Sequence, residues 1–72
     1  MRTLDRKQVR NRISATVTNA GGPAAASRST GIPLQTLEAC IYRDSLPSAE
    51  TLARLASLGV SVDWLLFGDA RQ

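Results

Sequence analysis

The stretch Gly22-Pro23-Ala24-Ala25-Ala26-Ser27-Arg28-Ser29-Thr30-Gly31-Ile32-Pro33 leaves this chain little freedom in its local structure. Pro23 suits the first position of a helix, because its fixed φ fits and its missing N–H has no partner there anyway. Ala24 to Ala26 are the strongest helix formers available. Gly31 can take the positive φ that ends a helix. Ile32 follows as a buried plug, and Pro33 opens a second segment. There Leu34, Leu37 and Ile41 recur along one side of a helix, with Cys40 beside them. Two short helices joined through a glycine turn read as a helix-turn-helix. The second helix of that motif can enter a DNA major groove.

The rest of the chain must support this unit with few means. At 72 residues it makes one domain, residues 1–72. A chain of this size buries about 60% of its unfolded surface, so its core is small. With one Phe, one Trp and one Tyr, aliphatic side chains must build that core. No apolar run approaches the ~20 residues of a membrane helix. Residues 1–12 are too charged to lead into a signal peptide. Cys40 stands alone, which excludes an internal disulfide and fits a reducing cytoplasm. The absence of histidine removes the usual general base and the commonest metal ligand. No cofactor is expected. The net charge of +3 is unevenly spread. Residues 1–30 hold Arg2, Arg6, Lys7, Arg10, Arg12 and Arg28 against Asp5 alone, whereas residues 31–72 carry more acids than bases. A basic half points to a polyanionic partner, although a solvated helix face reads the same way.

Taken in order, the chain predicts an all-α fold with helices over about 4–20, 23–30, 33–42, 49–58 and 62–67. Thr3 is the expected N-cap of the first, with Asp5 in its first turn. Val9, Ile13, Val17 and Ala20 form its apolar stripe, and Gly21-Gly22 ends it. Small side chains on the second helix let its backbone approach a neighbour. On the third, Leu37 and Cys40 face inward and Gln35, Thr36, Glu38 and Ala39 outward. Leu34 is core by type but sits at the exposed end. Arg43 to Pro47 is a loop. Ser48 is the clearest N-cap, with Leu52, Leu55, Ala56 and Leu58 as the inward face of the helix that follows. Gly59 ends that helix, and Val60 turns inward. Ser61 caps the last helix, where Trp64, Leu65 and Leu66 pack and Gly68 is the stop. The tail Asp69-Ala70-Arg71-Gln72 should fray.

Three segments together carry a resemblance. They are Gly31-Ile32-Pro33-Leu34-Gln35-Thr36-Leu37, then Leu46-Pro47-Ser48-Ala49-Glu50-Thr51-Leu52-Ala53-Arg54-Leu55-Ala56, then Leu58-Gly59-Val60-Ser61-Val62-Asp63-Trp64-Leu65-Leu66-Phe67-Gly68. They resemble the XRE-type helix-turn-helix DNA-binding domain of lambdoid phage repressors and Cro proteins, over about residues 13–68. The resemblance implies a compact five-helix lambda-repressor-like domain. Its second helix would lie over the DNA backbone, and its third would read the major groove. By position, Leu34, Gln35, Thr36, Glu38 and Ala39 match the base-contacting residues. Gln35 can pair bidentately with adenine, Thr36 or Leu34 can touch a thymine methyl, and Glu38 can accept from cytosine N4. The third helix holds no Arg, Lys or Asn, so direct readout rests mainly on Gln35. Pro23 stands where the family offers a polar side chain to phosphate. The backbone N–H groups of Ala24 and Ala25 can take that role. Arg28, Arg43, Ser45 and basic residues of the N-terminal region are further phosphate candidates. Only Ser57 separates Leu55-Ala56 from Leu58-Gly59, which shortens the fourth helix by one residue against the family pattern.

The leading expectation is sequence-specific binding of double-stranded DNA in transcription regulation, in a bacterial or phage-infected cytoplasm. The protein would act as a homodimer. The family often pairs through its fifth helix, and Trp64, Leu65 and Phe67 are the interface candidates here. A second possibility is a protein-interaction module or co-regulator on the same fold, with Leu34, Ala39 and Tyr42 as an apolar patch. Its partner would be RNA polymerase or a second regulator. An enzyme is not expected, because Cys40 has no histidine partner and the carboxylates are scattered.

Overall fold

Asp5 opens the first helix in a computed structural model that describes residues 4–43 and 45–68. Its extended backbone and carboxylate cap α1 (Arg6–Asn19), with Oδ1 accepting from the N–H groups of Lys7 at 3.0 Å and Gln8 at 3.4 Å. The first helix therefore starts two residues later than the sequence suggests. A side chain expected inside its first turn is the cap itself, since Asp competes well for that position. Thr3, the expected cap, lies outside the described residues, as do Asp44 and the tail 69–72. α1 ends in a Schellman arrangement: the Gly22 N–H reaches the Val17 carbonyl and the Gly21 N–H reaches that of Thr18.

Four further helices follow: α2 (Pro23–Thr30), α3 (Leu34–Tyr42), α4 (Ala49–Ala56) and α5 (Val62–Phe67). Pro33 is not the first residue of α3 but its cap, at ψ 140°, with its carbonyl accepting from Thr36 and Leu37. α4 stops at Ala56, short of the expected 58. Ser57, Leu58 and Gly59 each donate to the carbonyl three residues back, a tight turn in place of a last helical turn. Ser48 and Ser61 cap α4 and α5 through their hydroxyl oxygens, as expected from the sequence.

One core joins all five helices among the described residues. Val9, Ile13 and Val17 of α1 meet Ala26 of α2, Leu37 and Cys40 of α3, Leu52 and Leu55 of α4, and Leu65 of α5. Ile32, between α2 and α3, is 1% exposed and fills the same core. α1 is the central support, packing against α5, α3 and α2, while α2 lies on α3 and α4 on α5. The radius of gyration, 11.1 Å, equals the ~11 Å expected of a compact chain of this length. Thr16 is buried in the α1 stripe without an orphaned hydroxyl, because its Oγ1 donates to the Arg12 carbonyl at 2.9 Å. No described helix is long and apolar enough to cross a membrane.

Candidate functional site

The connection between α2 and α3 is held by side chains that pair with its backbone. Thr30 Oγ1 donates to the Ala26 carbonyl at 2.7 Å and accepts from the Ile32 N–H at 3.2 Å. Ser27 Oγ donates to the Ile32 carbonyl at 2.6 Å. Ile32 is therefore gripped at both backbone polar groups while its side chain is buried. A buried backbone group left unpaired would cost about 1–3 kcal/mol, so these hydroxyls make the turn affordable inside the core. From α4, Arg54 Nη1 reaches the Thr30 carbonyl at 3.1 Å, and its Nη2 and Nε contact Glu50 Oε2 at 3.1 and 3.4 Å. None of Ser27, Thr30 or Arg54 stood out in the sequence. Ser27 and Thr30 look like ordinary polar helix residues, and Arg54 lies far from them along the chain.

This fixed turn sets the orientation of α3. Leu37 and Cys40 are buried on its inner side. Gln35 is exposed, and Thr36, Glu38 and Ala39 are half-buried. Leu34, whose direction the sequence left open, is 40% exposed at the leading end of the helix. Ile41 is half-buried and packs against the core, so of the Leu34, Leu37 and Ile41 stripe only Leu34 leaves the inner face. An open groove of about 350 Å³ runs beside α3, lined by Gln35, Thr36, Ala39, Arg43, Ser45 and Ser48 among others. The groove thus brings five of the sequence candidates together, Gln35, Thr36, Ala39, Arg43 and Ser45, with the Ser45 N–H bonded to the Ala39 carbonyl at 3.3 Å.

The phosphate candidates occupy exposed or half-exposed ground. Ala24, Arg28, Arg43 and Ser45 are exposed, and Ala25 is half-buried. Gly22, the residue before α2, provides no side-chain cap, and the Ala26 N–H is the first to bond back along the helix, to the Gly22 carbonyl. Arg12 does not belong with the basic residues open to a ligand. Its Nη1 donates to the Leu65 carbonyl at 3.3 Å and so braces the end of α5.

One of the dimer candidates is taken up by the core. Leu65 is fully buried in the core of one chain and cannot form a surface for a second, because α5 turns it toward α1 and α4. Trp64 and Phe67 remain half-buried. Cys40 is buried, and burial pushes its thiol above the ordinary value, which keeps it protonated and unreactive. No family model matches the chain, and no curated protein or solved structure matches it.

Proposed function

We propose that this chain binds double-stranded DNA sequence-specifically in transcription regulation, with α2 and α3 acting as a phage-repressor-type helix-turn-helix. The observation that carries this reading is the division of α3: Leu37 and Cys40 anchor it, and its leading side chains Leu34 and Gln35 stand in solvent. A helix with its side chains is ~10–12 Å across, and the major groove is about 12 Å wide. Gln35 would pair with an adenine, Leu34 or Thr36 would meet a thymine methyl, and Glu38 would accept from a cytosine. Arg28, Arg43, Ser45 and the first N–H groups of α2 would hold phosphates, which fix register without reading sequence.

Selection of duplexes from a random pool, followed by anisotropy titration at rising salt, tests this reading. An enriched motif should emerge, and log affinity should fall with log salt by about 0.9 per phosphate neutralised. No duplex binding at low salt, or a flat salt response, rejects it. A second reading has its own support: Tyr42 is 71%, Leu34 40% and Leu46 39% exposed around the same helix. Those residues suit a protein partner better than a groove. Under that reading Gln35→Ala and Arg43→Ala leave partner binding intact.

A further inference from the structure

We infer that Arg54 is a positioning residue for α3, holding the α2–α3 unit at its working angle from a third helix. This rests on the DNA-binding reading above. The guanidinium joins two elements 24 residues apart in sequence, pairing with Glu50 on its own helix and with the Thr30 carbonyl at the end of α2. That carbonyl immediately precedes the turn that aims α3. The contact is fixed from both sides. Glu50 Oε2 orients the planar fork, and Gly31 leaves the space in front of it: a Cβ at residue 31 would lie 2.8 Å from Nη1. Thr36 of α3 and Thr51 of α4 line, together with Arg54 itself, a depression beside this contact. Only arginine can reach both partners in one plane; a lysine offers a single point charge on a flexible stem.

Arg54 is thereby separated from a phosphate contact. A phosphate ligand adds to the salt dependence of binding, whereas a positioning residue adds to discrimination between sequences. The experiment compares the wild-type chain with Arg54→Lys, Arg54→Met and Glu50→Gln at a temperature where all are folded. Affinities are measured for the selected duplex and a random duplex across a salt series. Amide exchange is followed at Gly31 and Ile32, with α5 amides as reference. In Arg54→Met, discrimination should fall on the order of tenfold with the salt slope unchanged, and exchange at Gly31 and Ile32 should quicken while α5 stays protected. Arg54→Lys should restore less than half of the discrimination, and Glu50→Gln should show a smaller loss of the same kind. A slope reduced by about one charge, with equal losses on both duplexes, makes Arg54 a phosphate ligand and overturns the inference. Unchanged exchange at Gly31 and Ile32 overturns it as well. If the wild-type chain binds no duplex, the DNA reading fails separately, and the exchange result still decides whether Arg54 holds the turn.

Discussion

Single residues on α3 do different work according to which side they face. Gln35 is the one exposed α3 side chain that can form a two-bond pair with a base edge. Gln35→Ala should weaken binding to the selected duplex by about 1–3 kcal/mol, or roughly 5- to 150-fold, while leaving the salt slope and random-duplex affinity as they were. Paired titrations read this directly, and equal losses on both duplexes would remove Gln35 from base reading. On the opposite side, Cys40 should make stability fall in alkali. Burial raises its folded thiol above the ordinary 9.0. Below that value both states hold the proton and the contribution is flat. Above it the unfolded chain loses its proton first, so stability declines until pH reaches the folded value. Denaturant melts from pH 7 upward should show a steeper decline in the wild type than in Cys40→Ala; the other alkaline groups titrate in both and cancel. Parallel pH curves would mean that burial does not hold the thiol neutral.

At the scale of elements, the legible parts of the fold were those with a local cause. Ser48 and Ser61 cap helices through their own hydroxyls, and the spacing of Val9, Ile13 and Val17 shows which side of α1 is buried. Of the Leu34, Leu37 and Ile41 stripe, Leu37 is buried and Ile41 packs on the core, and Leu34, whose direction the sequence left open, is the one that faces out, because α3 begins there beyond its neighbours. Contacts between distant segments were not legible at all. Two arginines each donate to a carbonyl at the end of a foreign helix, Arg54 to Thr30 and Arg12 to Leu65. Each sits beside the glycine that ends that helix, Gly31 or Gly68, where a Cβ would crowd the guanidinium. In the sequence these glycines read as helix stops, Arg12 as part of a basic half and Arg54 as one base among the acids of the second half. Nothing local reveals that each glycine also makes room for an arginine. Gly31, at φ +78°, should therefore be costly to replace for two reasons. Gly31→Ala should destabilise the fold by about 1–3 kcal/mol from backbone strain alone, with a further part from displacing Arg54. In an Arg54→Met background that further part should vanish, so the two substitutions together cost less than their sum. Strict additivity in thermal or denaturant melts would show that the guanidinium does not crowd position 31.

The whole molecule measures 35 × 25 × 19 Å, too small for one copy to read two successive turns of a duplex from one side. Half-sites facing the same way lie about 34–36 Å apart. Two copies set side by side along the longest axis repeat at about this spacing. With Leu65 spent in the core, a pair formed through α5 would use the half-buried Trp64 and Phe67. Trp64 is the only tryptophan, so its emission reports directly on that contact. On a palindrome with half-sites ~10 base pairs apart, centre to centre, sedimentation should show two copies per duplex, with Trp64 emission shifted to the blue. Moving the half-sites apart by a further half-turn puts them on opposite faces of the DNA. One copy can then no longer touch the other, and both the affinity gained from the second copy and the emission shift should disappear. Equal affinity at the two spacings, together with a monomer in concentrated solution without DNA, would mean that each copy binds alone. Specificity would then rest on a single α3, and Gln35 with its few neighbours reads too short a site for one copy to select among many competing sequences.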